Sequence, residues 1–471
     1  MDTHETVSIF FTERSPMARD FTTGKPMKVI FTFAVPMLIG NVFQQLYSTV
    51  DSIIVGNFEG KNALAAISGS MSVQFLILAI AFGFTAGMSV VIAQTYGATD
   101  YKRLKKVMST GIMFIIGLSI VLGLTGVIIS PPLLRLLGTP DEILPQAILY
   151  LRIMFIGMPA SFLYNYFASI LRAIGDSKTP LYFLIIASLT NIVLDYAFVA
   201  FLGWGVMGVA VATVMSQILS DVLCFIYINK RVEIYQLKRE EYVFDRNILS
   251  AIINYGLPAA IQQSIISVSM MFVQSFVNFF GADMMAAFGV SNRIEGFVTM
   301  PMMNLAMALS TFAGQNIGAG LEKRAINGIK ATMIMQAVFC GIMAFVLPVA
   351  AVPLINLFGL ADDPNVIALG RLGISFAARF YVIFALFQTL NQFHRGVGDT
   401  KFSLVASLFM IGVRIPVTYI LVHIVQLGEI SIWMGMVSGW AASLLINSLR
   451  FFSGGWRGKA YIQVKRAEAD A

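Results

Sequence analysis

Apolar residues run along this chain in long blocks separated by short polar breaks, and no block keeps the strict alternation of a half-buried strand. A helix that crosses a bilayer needs about 20 mostly apolar residues at a rise of ~1.5 Å each. Stretches that meet this length lie at 28–57, 63–95, 107–130, 145–171, 180–201, 205–228, 248–280, 284–314, 326–352, 366–393, 402–424 and 430–452. A membrane barrel would show shorter, alternating segments, so the pattern predicts an all-α polytopic membrane protein of twelve transmembrane helices. Several stretches exceed the minimum, which predicts tilted or bent helices.

The blocks also repeat. Gln94-Thr95-Tyr96-Gly97-Ala98 recurs as Gln315-Asn316-Ile317-Gly318-Ala319, and Lys102-Arg103 corresponds to Lys323-Arg324. At nearly the same spacing, Leu136-Leu137-Gly138 corresponds to Leu357-Phe358-Gly359, Asp141 to Asp362, and the run Arg172–Lys178 to Arg395–Lys401. Six spans per half is an even number, so both halves enter the membrane in the same orientation. The expectation is two parallel six-helix repeats forming two lobes about a pseudo-twofold axis along the membrane normal, with the substrate path between them. The bounds that follow are an N-terminal segment 1–27, a first lobe 28–228, a connector 229–247, a second lobe 248–452 and a tail 453–471. Gly175-Asp176 and Gly398-Asp399, each after an Arg and before a Lys, fit tight turns with helix caps.

Composition agrees, with 57% hydrophobic and 12% charged residues, outside the balance of a soluble globular chain. A net charge of +7 in a soluble protein would point to nucleic acid. Here the basic residues report orientation instead. They gather in alternate breaks, at Arg14, Arg19, Lys25 and Lys28, at Lys102, Arg103, Lys105 and Lys106, at Arg172 and Lys178, and at Lys230, Arg231, Lys238, Arg239 and Arg246. The second half continues with Lys323, Arg324, Lys330, Arg395, Lys401, Arg450, Arg457, Lys459, Lys465 and Arg466, whereas the other breaks hold Lys61, Arg135 and Arg371. By the positive-inside rule both termini are cytoplasmic, in the plasma (inner) membrane. No nucleic-acid partner is expected. The first 27 residues carry acids and a proline and lack an apolar core, so they do not read as a signal peptide. Cys224 and Cys340 each stand in an apolar stretch as packing residues, with neither a disulfide framework nor a metal cluster in prospect.

Charge inside a span is costly in hydrocarbon and marks function by default. Counted from the outer ends of spans 1, 5 and 6, Asp51 and Asp195 lie about six residues in, roughly 9 Å; Thr213 and Asn191 lie slightly deeper. Asn191 and Asp195 are one helical turn apart on one face. Two carboxylates, an amide and a hydroxyl offer hard oxygens to Na⁺, or the carboxylates could share a proton, because burial and like charge both disfavour ionisation of the pair. At the repeat spacing Asn191 corresponds to Arg414 and Asp195 to Thr418, so the second half lacks this pair. That half instead places Arg293, Glu295, Arg379 and Arg414 near mid-membrane, as an ion-pair network or a substrate contact. Asp221 sits near the inner end of span 6, at the interface. Pro36 and Pro258 take matching positions early in spans 1 and 7, where a missing N–H invites a bend. No phosphate-binding Gly-Lys-Ser/Thr loop occurs in the connectors, and His4, His394 and His423 are scattered, so ATP-driven pumping and enzyme chemistry are not indicated.

The twelve-helix parallel repeat, Val50-Asp51-Ser52-Ile53-Ile54-Val55-Gly56, Asn191-Ile192-Val193-Leu194-Asp195 and Thr311-Phe312-Ala313-Gly314-Gln315-Asn316-Ile317-Gly318-Ala319 resemble the multidrug and toxic compound extrusion (MATE) family over nearly the whole chain. The resemblance implies a V-shaped pair of lobes in which an H⁺ or Na⁺ gradient drives export of cationic, amphipathic organic compounds, with no cofactor beyond the coupling ion and the monomer as functional unit. It implies the cation site at Asp51, Asn191, Asp195 and Thr213, and bending of span 1 at Pro36. The sequence departs from the branch of the family with acids in spans 7 and 10: span 7 offers Gln262, Gln263 and Ser267, and span 10 has no carboxylate. The rival readings are a lipid-linked glycan flippase of the same broader superfamily, for which the three intramembrane arginines speak, and a membrane receptor or scaffold, which leaves the paired carboxylates without a purpose.

Overall fold

The computed structural model describes residues 20–231, 239–358 and 363–462. The basic positions Arg14, Arg19, Lys238, Lys465 and Arg466 and the repeat partners Gly359 and Asp362 lie outside the described residues. Among the described residues all regular structure is helical, with no strand. The long helices are α1 (Pro26–Phe58), α2 (Gly60–Gly97), α3 (Tyr101–Leu136), α4 (Leu144–Ile156), α5 (Met158–Ala173), α6 (Lys178–Asp195) and α7 (Gly205–Arg231). After them come α8 (Arg246–Phe279), α9 (Ala282–Gly318), α10 (Glu322–Asn356), α11 (Pro364–Gly396), α12 (Thr400–Tyr419) and α13 (Ile430–Phe452). Among the described residues eleven helices are long and apolar enough to span a bilayer, and the bent pair α4 and α5, counted as one span, brings the number to twelve. Helix is what the solvent demands: with no water in hydrocarbon, each backbone group must be satisfied within its own segment. Intramembrane hydroxyls follow the same rule by donating to the carbonyl one turn back, as Ser70 does to Ala66 at 2.7 Å and Thr95 to Val91 at 2.6 Å.

The stretch 145–171 is not the single helix its hydropathy predicts, because α4 and α5 meet at 47°. Pro159 in the first turn of α5 lacks an N–H and crowds the carbonyl of Phe155. Gly157 at the joint faces Val214 so closely that a Cβ would strike its side chain. The two Gly-Asp turns form as expected, with Gly175 at φ 93° and Gly398 at φ 95°, a backbone region open to glycine. Their aspartates then diverge. Asp176 accepts from the Lys178 and Thr179 amides and caps α6, whereas Asp399 pairs with Arg450 at 2.8 Å.

Two apolar cores fill the two lobes, one around Met88, Leu104, Phe155 and Phe162 and the other around Met302, Tyr381, Trp433 and Trp440. The lobes meet through α1 and α2 on one side and α8 and α9 on the other. α2 and α9 are the inner helices; α3 and α10 stand outermost and expose most of their surface. A third core joins the lobes at the end where the first and last described segments lie, called here the end with the termini, with Phe21, Ile30 and Phe33 packed against Leu309, Phe312 and Trp456. Along α2 and α8 the backbones nearly touch: a Cβ on Gly83 would strike Ala260, and one on Gly87 would strike Gly256. The seam between α1 and α9, apolar at its Phe33 end, carries a polar contact farther along, with Asn41 Nδ2 donating to Asn304 Oδ1 at 3.1 Å.

Contact this close is sensitive to one methyl group. Gly87→Val should lower the thermal midpoint of the purified protein, at an overpacking cost of roughly 1–3 kcal/mol. Gly117→Val, placed where a Cβ meets nothing within 4 Å, should change stability by less than about 0.5 kcal/mol. Equal midpoints for the two variants would mean that the lobes do not close along this seam.

Candidate functional site

The sequence-predicted acids converge inside the first lobe. α6 carries Asn191 and Asp195 on its inward face, both fully buried, and Asp195 is its last residue before a wider π turn, Tyr196–Phe201. Such turns break the regular ladder and recur at functional sites. α1 brings Asp51 and α7 brings Thr213. With its amide oriented to suit its neighbours, Asn191 Nδ2 donates to Asp51 Oδ1 and to Asp195 Oδ2, each at 3.0 Å. Its oxygen accepts from the Thr213 backbone N–H at 3.2 Å. The two carboxyl groups lie within hydrogen-bonding reach of one another.

Held this close in a poor dielectric, two carboxylates repel strongly, and a shared proton or an enclosed cation removes the repulsion. Asp195 Oδ1 is buried and has no hydrogen-bond partner among the described residues. Thr213 enters differently from the expectation. Its hydroxyl donates to Val209 O at 2.9 Å, and its contact with Asn191 runs through the main chain. Sequence reasoning missed three further members. Tyr47, one turn before Asp51 on the same face of α1, hydrogen-bonds Asp51 and Thr213, and the i, i+4 spacing was the signal that could have found it. Tyr150 from α4, hydrogen-bonded to Gln74 from α2, stands beside both carboxylates. Those two arrive from separate helices and leave no local pattern.

The second lobe does not reproduce the site. Arg414 and Thr418 stand where Asn191 and Asp195 stand in the first, so a fixed positive charge takes the place of an amide and a carboxylate. The predicted four-member ion-pair network does not assemble either. Among the described residues, ion pairs join Lys105 to Glu241, Arg450 to Asp399 and Arg457 to Glu322. Arg414 is buried and donates to Ser269 Oγ at 3.3 Å, with Glu295 as its charged neighbour. Arg293 and Arg379 are exposed, and the Arg293 guanidinium lies 5.9 Å from the Phe358 ring centroid. Asp221, which the sequence places at the interface, is buried (8% exposed) inside the first lobe. Pro36 is buried within α1, which continues through it as one helix.

Gln44, Gln45 and Thr49 on α1 and Ser267 and Gln274 on α8 are exposed, on two of the helices through which the lobes meet. Polar side chains are disfavoured against lipid, which suits these faces to a wet cleft between the lobes. Asp51 stands on the same helix as Gln44, Gln45 and Thr49 and belongs to the buried cluster.

A family model described as MatE matches residues 36–197 and again 258–420, and each match begins at one of the two paired prolines. A probable multidrug resistance protein of Bacillus subtilis (strain 168), YoeA, is 34% identical over 422 residues, 88% of this chain and 91% of that protein. A second from the same organism, YpnP, is 31% identical over 442 residues, 93% and 98% of the two chains. Among solved structures, one described as the outward-facing conformation of a multidrug resistance MATE family transporter of the MOP superfamily superposes with a TM-score of 0.86 at 25% identity, covering 93% of this chain and 98% of that one.

The geometry separates two substitutions that the sequence alone would treat alike. Thr213→Val keeps the backbone N–H that holds Asn191 and loses only the hydroxyl beside Tyr47, so its losses of stability and transport should be small. Asn191→Leu strips both carboxyl groups of their shared donor and should cost about 1–3 kcal/mol of stability, together with transport. Thermal melting and proteoliposome flux of the two variants check this; equal losses would place the essential contact on the Thr213 hydroxyl.

Proposed function

This chain belongs to the MatE family of membrane transporters, and on that premise we propose that it is a cation-coupled antiporter that exports organic, cationic amphipathic compounds by alternating access. It is an integral membrane protein and a transporter, not an enzyme. The observation that carries the coupling is the buried trio Asp51, Asn191 and Asp195 beside the cleft. A site with two carboxyl groups and a single bridging donor changes charge when one cation arrives or leaves. We take a proton as the coupling ion because the two carboxyl groups lie within hydrogen-bonding reach of one another and one proton can bridge them.

The basic breaks make the end with the termini cytoplasmic, in the plasma (inner) membrane. The cleft then faces outward, and the closed seam faces the cytoplasm. Protonation of the trio from outside repacks α1, with Pro36 as the point where its ladder already lacks a bond. Release of the compound follows, and a new molecule bound from inside displaces the proton. Coupling requires each ligand to prefer a different state of the pair, since a ligand with equal affinity for both drives nothing. The monomer holds one complete trio and suffices as the working unit. Arg414 is buried against Ser269 and beside Glu295, whereas Arg293 and Arg379 are exposed, and this split speaks for export of cations over a glycan flippase, which would gather the three around one anion.

Efflux of a cationic dye from proteoliposomes, under a pH gradient without Na⁺ and then under a Na⁺ gradient alone, tests this. The pH gradient should drive dye movement, the Na⁺ gradient should not, and Asp195→Asn should abolish coupled flux while the protein remains folded and inserted. Flux unchanged in Asp195→Asn would remove the trio from coupling.

A further inference from the structure

The duplicated Gln-x-x-Gly motif, which the cation site leaves unused, holds the lobes together. Gln94 closes α2 and Gln315 closes α9, both fully buried at the end with the termini. Each side chain crosses to the other lobe: Gln94 Nε2 donates to Gly396 O at 3.0 Å, and Gln315 Nε2 donates to Ala173 O at 2.8 Å. Gly396 and Ala173 are themselves repeat equivalents, so the two bonds are one bond made twice. The motif glycines let the backbones approach, since a Cβ on Gly97 would strike the Gln315 carbonyl and one on Gly318 would strike the Gln94 carbonyl.

Each glutamine has its remaining oxygen taken by a terminal segment of the chain, again in exchanged fashion. The segment before α1, in the first lobe, sends the Phe21 N–H to Gln315 Oε1 at 3.1 Å, and Arg324 donates to Phe21 O at 3.0 Å. The Phe21 ring is fully buried against Phe33 and Phe312. The segment after α13, in the second lobe, sends the Tyr461 N–H to Gln94 Oε1 at 2.7 Å, and Arg103 donates to Tyr461 Oη at 3.1 Å with its guanidinium 4.6 Å from the ring centroid. Arg103 and Arg324 are the paired basic residues of the repeat, so the recurrence of Lys-Arg after Gln-x-x-Gly has a structural reason beyond orientation.

We propose that Gln94 and Gln315, with the two exchanged straps at Phe21 and Tyr461, form the inner gate, and that this gate opens as a unit. The inference rests on the alternating-access reading above. Any separation of the lobes at this end strands both glutamine amides and pulls both straps from their arginines, because each strap is rooted in one lobe and bonded to the other. A buried polar group without a partner is disfavoured, so partial opening is penalised and the closed and open states stay distinct. Gln94 and Gln315 act here as positioning residues: they set the balance between states without touching the transported compound.

Spin labels on Lys102→Cys and Lys323→Cys, exposed repeat equivalents at the two inner ends, report the gate by pulsed dipolar distance measurement, with the buried Cys224 and Cys340 left in place. In the unaltered chain the labels should give a short, closed distance. The Gln94→Ala/Gln315→Ala variant should add a longer-distance population, and a chain ending at Lys459, which lacks Tyr461, should shift the same way to a smaller extent. The truncated chain carries the test alone if the double variant does not yield a single dispersed species. Distributions unchanged by both alterations would overturn the gate, even if melting temperatures fell. A shift in distance from a protein that moves no dye would uphold the gate and count against the export reading instead.

Discussion

The absence of water in the bilayer core is the constraint on which the rest of this structure depends, because it forces every polar group there to find its partner inside the protein. Main-chain groups meet it by forming helices, and hydroxyls meet it by bonding back one turn. The polar groups that cannot be satisfied within one helix have to be satisfied between helices. Two groups of them stand at the centre of the structure. The Asp51, Asn191 and Asp195 trio lies inside one lobe, and the crossed Gln94 and Gln315 bonds lie between the lobes. One group can change its charge; the other holds two bodies in one arrangement. Together they supply the elements alternating access needs, a switchable site and a bistable contact.

The repeat is kept where geometry needs two matching halves and lost where chemistry needs a single site. Gln-x-x-Gly, Lys-Arg, the Gly-Asp turns and the π turns after α6 and α12 all survive in both halves. The pairs Asn191/Arg414 and Asp195/Thr418 have diverged completely. The permanent positive charge of Arg414 stands where the first lobe has Asn191, and it disfavours a second cation at that position. The Asp176 and Asp399 difference is of the same kind: one caps a helix, and the other holds Arg450 near the tail segment.

Much of this was legible in the chain. Long apolar blocks fixed the number of spans, the even repeat fixed their parallel sense, and depth counting with the i, i+4 rule brought Asp51, Asn191 and Asp195 together. Properties that depend on rotation of separate helices were not legible. Mid-membrane depth placed Arg293, Arg379 and Arg414 at one level, yet depth says nothing about burial, and two of the three are exposed while Arg414 is buried. Tyr150 and Gln74 join the trio from two further helices. The bend at Gly157 left only Met158-Pro159 as a trace inside an otherwise uniform apolar run. Thr213 was found for its hydroxyl and serves through its amide.

The central claim is that the exported compound and a proton compete through the Asp51/Asp195 pair, and linkage makes this measurable without any gradient. Calorimetric titration of a cationic dye into the purified protein, repeated in buffers of different ionisation enthalpy, counts protons released per molecule bound. The account predicts binding heat that varies with the ionisation enthalpy of the buffer, a dependence that vanishes in Asp195→Asn. Binding heat that is the same in every buffer, in a protein that binds the dye, would contradict it.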